Sequence, residues 1–214
     1  RWIIWEASQE LGARSASIQD FYAARARGEF GGLTVPAVNI RMDTFDTARK
    51  VFETAKAKAV GPVILELARS EQTYTWQRVF EYAPNCLAGA IAAGWVGPVF
   101  IQGDHCQVNH KKYQADAEGE VGEVKKLIAE EIGAGFYNID VDSSTLVDLS
   151  HATLEEQQRA NYERAAEITA FTSLVMMPGW VLIGPIVKSA PAKAALRASP
   201  TRNVTTCRTV TRSA

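Results

Sequence analysis

The sequence predicts a parallel α/β chain: the first half of a (β/α)8 TIM barrel, preceded by an N-terminal helical extension. Three observations carry this. Four short apolar runs end abruptly in polar residues, at TVPAVNIR (34–41), GPVILELAR (61–69), GPVFIQGDH (97–105) and GFYNIDVDSS (135–144). A helical pattern follows each run. Strand starts recur at a spacing that suits a barrel unit, and no glycine-rich phosphate loop opens any helix, which removes the signature of a dinucleotide-binding doubly wound sheet.

The elements follow in order. Residues 1–12 mix Arg1, Glu6 and Glu10 with apolar side chains and read as an amphipathic helix rather than a signal peptide. Trp2, Trp5, Phe21 and Tyr22 read as packing of two N-terminal helices within an extension over residues 1–32. Strands are predicted near 34–40, 62–68, 98–103 and 136–142. Runs of this apolar kind suit strands buried on both faces. After the first strand, Ala48, Val51, Phe52 and Ala55 form an i, i+3, i+4, i+7 stripe, with Asp43 or Thr44 as the cap. After the second, residues 78–93 read as a helix that Pro84 kinks or restarts. After the third, Val121, Val124, Leu127, Ile128 and Ile132 line one face. After the fourth, Thr153 and Glu156 form a capping-box signal for a helix through about residue 171. The barrel part is thus placed at residues 33–171.

Composition is that of an ordinary globular protein, 214 residues with 47% hydrophobic and 22% charged residues and a net charge of −1. An odd set of three cysteines (Cys86, Cys106, Cys207) without a CxxC pair points to a reducing, cytoplasmic setting. Charge is uneven: after Glu167 there are six Lys and Arg and no Asp or Glu. The apolar stretch 174–187 is broken by proline and glycine and is too short for a bilayer, which takes about 20 residues. Residues 172–214 therefore read as a basic tail outside the fold. A nucleic-acid-touching tail, a linker and the product of a lost reading frame near residue 172 all describe it, and the last is favoured. The acidic remainder carries no nucleic-acid motif, so neither nucleic acid nor membrane is expected as a partner.

Polar residues at the carboxyl ends of parallel strands face the active side of such folds. Asp104 and His105 there can supply a proton-transfer group and a metal ligand. Asn39, Glu66, Arg69, Asp142 and Ser144 stand at the other strand ends as candidate substrate contacts. Glu66 and Asp140 read equally well as a buried hydrogen-bond network. His110 reads as a solvent-exposed loop residue and His151 as a helix-entry residue.

The order and spacing of these motifs over residues 33 to about 171 resemble the class II, zinc-dependent fructose-bisphosphate aldolases. The chain shares with them VPAVN (35–39), PVILE (62–66), the Asp104-His105 pair, and a Gly135-Phe136 strand with Asp142 and Ser144. Gly103-Asp104-His105 with Asn109 also resembles the non-catalytic-type subunits of tagatose-bisphosphate aldolase. The resemblance implies metal-assisted retro-aldol cleavage of a phosphorylated ketose, with Asp104 moving the proton, His105 binding zinc and a homo-oligomeric full-length protein. A stabilising subunit without turnover is the alternative. Where the family has a phosphate-contacting serine this chain has Ala68 followed by Arg69, which offers a guanidinium instead. The family's later histidines have no match after residue 171, so residues 1–214 alone are expected to be inactive.

Overall fold

A computed structural model describes residues 1–176. Five parallel strands form one sheet: β1 (Ala13–Ala16), β2 (Ala37–Asn39), β3 (Ile64–Ala68), β4 (Gly97–Gln107) and β5 (Asn138–Asp142). The four predicted strands are all present and pair as neighbours, β2 with β3, β3 with β4 and β4 with β5, every pair parallel. The helices are α1 (Trp2–Leu11), α2 (Gln19–Ala26), α3 (Thr44–Ala57), α4 (Arg69–Tyr74), α5 (Val79–Ala92), α6 (His110–Ala115), α7 (Ala117–Ala134) and α8 (Leu154–Val175).

The N-terminal segment differs from the expectation of helices alone. Between α1 and α2 lies β1, which pairs with the first half of β4 from Ala13↔Gly97 to Ala16↔Phe100. The second half of the same β4 edge pairs with β5, starting at Gln102↔Asn138. Two strands thus share one edge, and fully buried Asn138 joins them. Its amide donates to the carbonyls of Ala16 and Ile101, and its oxygen accepts the N–H of Ile18 at 2.8 Å. Three backbone groups beside the break in pairing gain a partner this way.

Alternation divides the sheet into two faces. Leu65, Leu67, Val99, Ile101 and Ile139 face the helices and join a core with Phe52, Leu87, Val124, Ile128 and Ile168. The α3 stripe buries Ala48, Phe52 and Ala55 as expected, although neither Asp43 nor Thr44 caps it through a side-chain bond. Thr44 instead bonds Gln77. Pro84 neither ends nor restarts α5: the buried face of Tyr82, Ala83, Cys86, Leu87 and Ala90 holds the helix through it. Gly89 allows α5 to lie against α3, because a Cβ there would stand 2.8 Å from the Arg49 amide nitrogen. Thr153 caps α8 by accepting the Glu156 N–H.

The opposite face carries a smaller apolar cluster, Ile18, Ile64 and Phe100, with Phe21 and Tyr22 of α2 packed on it. That cluster lies toward the amino ends of the strands. Trp5 packs against the main core, while Trp2 is 72% exposed. Helix α8 passes the expected end at 171 and buries Thr172, whose hydroxyl donates to the Ile168 carbonyl. The remainder of the predicted tail, residues 177–214, lies outside the described residues. Among the described residues no helix is long and apolar enough to cross a membrane.

Candidate metal centre at the strand ends

Above the small apolar cluster, the four aligned strands present one polar residue each in register: Asn39↔Glu66, Glu66↔Gln102 and Gln102↔Asn138. Gln102 donates to the Glu66 carboxylate at 2.8 Å. One step further along the chains, at their carboxyl ends, stand Asp104 and Asp140.

Regular alternation would send Asp104 and His105 to opposite faces. The register shows why it does not: β4 advances from Gly103 to Cys106 while β5 advances from Ile139 to Val141. One extra residue on β4 makes a bulge. His105 takes the left-handed conformation, φ 48°, which is uncommon for a residue with a side chain. Asp104 and His105 then share the site face, and Cys106 returns to the helix side.

The bulge is braced from behind by α7. Fully buried Glu131 accepts from the Cys106 thiol at 3.1 Å and from Gln72 Nε2 at 2.9 Å. Its carboxylate lies so close to Gly103 that a Cβ at this position would collide with it. Any larger residue at 103 would have to displace the Glu131 carboxylate. Burial pushes the Glu131 carboxyl up to about 7. Burial, with Glu131 nearby, holds Cys106 well above the ordinary thiol value, which removes it as a nucleophile.

On the site face, Asp104, His105 and Asp140 offer one ligand atom each, all within 4.8 Å of one another. His105 Nδ1 lies 3.1 Å from Asp142 Oδ2, and Nε2 lies 3.7 Å from Asp104 Oδ1. Asp142, in turn, accepts from Gln107 at 2.5 Å, from the Ser144 amide at 2.9 Å and from the Ser144 hydroxyl at 2.6 Å. A buried carboxylate fixed in this way accepts Nδ1–H and leaves Nε2 as the free donor atom, the usual support for a metal-binding histidine. Burial pulls the His105 pKa down, but Asp104, Asp142 and Asp140 together leave it raised. Burial raises Asp140. Asp142 is lowered, because the bonds from Ser144, Gln107 and His105 outweigh its burial. Glu66 is pushed up to about 7 by burial and by Asp104 and Asp140.

Asp104 is held from the other side. Asn39 donates to Asp104 Oδ2 at 2.9 Å and to Glu71 Oε2 at 2.9 Å. Glu71 also accepts from the Ala68 amide and from Arg41 Nε. Burial works against its ionisation, yet these donors keep its pKa low.

Of the residues singled out in the sequence, Asp104, His105, Asn39 and Asp142 meet at one place. Ser144 is one bond removed and orients Asp142. Glu66 sits in the polar row beneath. Arg69 is committed elsewhere: its guanidinium donates to the Gln107 carbonyl at 2.7 Å and pairs with Glu120, whose side chain is 1% exposed. This leaves little of it to offer a substrate phosphate. His110 and His151 are exposed and do not join the cluster. The sequence marks Asp140 only as a strand-end or network residue, although the polar alternation of NIDVD places it on the same face as Asp142. Glu71, Gln107 and Glu131 carried no signal of their own.

Comparisons with protein-family models, with curated proteins and with solved structures return no match.

Proposed function

We propose that the sheet is the first part of a (β/α)8 barrel and that its strand ends form a metal-assisted aldol-cleaving centre for a phosphorylated ketose. The observation that supports this most is the bulge, which brings His105 to the same face as Asp104 and Asp140 while Asp142 supports Nδ1. The imidazole of His105 and the carboxylate of Asp140 are donors suited to a divalent cation, zinc among them, and the Asp104 carboxylate lies beside them. His105 and Asp140 would hold it. The bound cation supplies Lewis-acid polarisation of the substrate carbonyl.

This chain's residues supply the rest. Asp104 takes the proton from the hydroxyl at the carbon–carbon bond that breaks, and returns it in the condensation direction. Asn39 fixes one oxygen of Asp104 and leaves the other turned toward His105. Asp142 and Ser144 keep His105 in the tautomer that presents Nε2.

Cation binding is the primary readout, since the sequence leads to the expectation of little turnover from residues 1–214 alone. Equilibrium dialysis with zinc is expected to show one site that His105→Ala removes and Asp104→Asn retains. Release of triose phosphate from fructose and tagatose bisphosphates, with zinc and with a chelator, tests the reaction. Zinc binding that survives His105→Ala unchanged would overturn the centre. Zinc-independent cleavage, or cleavage undiminished in Asp104→Asn, would overturn the mechanism.

A further inference from the structure

Two arginines stand just beyond strand ends, and the structure uses them differently. Arg69, after β3, is 22% exposed at its side chain and is spent on Glu120 and the Gln107 carbonyl. Arg41, after β2, is 58% exposed at its side chain and binds Glu71 through Nε, at 2.6 Å. Holding a guanidinium by Nε fixes its plane and leaves its terminal nitrogens for other partners, and a guanidinium can receive two oxygens of one anion. The exposed Tyr74 side chain also hydrogen-bonds Arg41, as a neutral partner that leaves its charge in place.

The anchoring is continuous with the metal centre. Arg41 bonds Glu71, Glu71 accepts from Asn39, and Asn39 donates to Asp104. Three hydrogen bonds thus join the guanidinium to the proposed proton-transfer carboxylate. The surroundings are acidic, with Glu66, Glu71, Asp104, Asp140 and Asp142 on one side of the sheet. A small anionic substrate meets repulsion there unless a fixed cation receives its charged end.

We propose that Arg41 is the docking residue for the oxyanion of the substrate, a phosphate or a carboxylate. The choice of ketose phosphate as that substrate rests on the function proposed above, whereas capture of an oxyanion by Arg41 does not.

The test is calorimetric titration of the whole chain, at low ionic strength, with inorganic phosphate, dihydroxyacetone phosphate, glycolate and uncharged dihydroxyacetone. Arg41→Gln keeps an N–H for Glu71 and removes the charge. Arg41→Lys keeps the charge and removes the fork. Arg14→Gln removes an exposed arginine near the amino end of β4, far along the strands from the site. Circular dichroism and urea midpoints confirm that each variant is folded. Expected are binding of the anions by the wild type, a loss of about tenfold or more in Arg41→Gln, a smaller loss in Arg41→Lys, and no change in Arg14→Gln. Phosphate and glycolate arms show which oxyanion is preferred. Anion binding that is absent from the wild type, unchanged in Arg41→Gln, or equally weakened in Arg14→Gln would overturn the proposal. A chain that binds anions through Arg41, but whose zinc binding survives His105→Ala unchanged, would sink the metal-assisted lyase reading and leave the docking residue standing.

Discussion

The two faces of the sheet are built from alternating residues of the same strands, yet they do different work. The helix side is continuous and apolar, and its few polar residues are enclosed and partnered, as Glu131 is by Cys106 and Gln72. The site side is layered along the strands: an apolar floor of Ile64 and Phe100 under α2, a row of amides and one carboxylate, then acids and an imidazole at the rim. Stability should reside in the first face and chemistry in the second. β4 is where the two are tied together, because one bulge serves both.

The largest effect that would separate the faces is His105→Ala. It is expected to abolish cation binding in dialysis while leaving the urea midpoint nearly unchanged, since the side chain is more than half exposed. A large loss of stability instead would mean that the bulge depends on the imidazole. The mirror variant is Leu67→Ala, from the helix side, where the residue is fully buried. It is expected to cost about 2–5 kcal/mol in chemical denaturation, with cation affinity per folded molecule retained.

Asp142→Asn tests the support beneath His105. Removing the carboxylate behind a metal-binding histidine typically costs about 10–100-fold in affinity, and a loss in that range is expected with the fold intact. Gly103→Ala attacks the tie itself. Its Cβ collides with Glu131, so a destabilisation of about 1–3 kcal/mol is expected. Glu131→Ala in the same chain should recover part of it, and a double-mutant cycle without coupling would remove Glu131 as the brace.

The smallest effect is in pH dependence. Glu131 is raised to about 7 in the folded chain, against an ordinary value of 4.5. The folded state therefore holds a proton that the unfolded state has lost between those values. Its contribution to stability is present below about pH 4.5 and falls away as the pH rises to 7. Glu131→Gln cannot lose that proton. Urea unfolding at pH 5 and pH 8 is expected to show the variant gaining on the wild type at the higher pH. Parallel curves would place the buried carboxyl elsewhere in the titration.

Much of this was legible in the chain because it depends on local pattern. Short apolar runs ending abruptly in polar residues marked β2 to β5, and 3.6-residue stripes such as Ala48, Phe52 and Ala55 marked the covering helices. Polar residues at the ends of those runs marked Asn39, Asp104, His105 and Asp142. Short-range physics sets each of these features: continuous apolar runs for strands buried on both faces, helical spacing, and the cost of burying a polar side chain. β1 bears no such mark, because ARSA is short and carries no apolar run, and pairing with the edge of β4 makes it a strand.

What tertiary structure alone decided is which face each strand-end residue meets and what it meets there. Adjacent Asp104 and His105 share a face only because β4 takes one residue more than β5 between their aligned positions. Arg69 and Arg41 look alike in sequence, and each follows a strand. Glu120 of α7 reaches the first, while the second, anchored at Nε by Glu71, keeps more than half of its side chain exposed. Such outcomes depend on pairings across tens of residues, where the register of one strand against another and the approach of a distant helix fix the neighbours. The residue types alone determined which chemistry was possible, and the packing of α7 against β4 determined which residues were free to perform it.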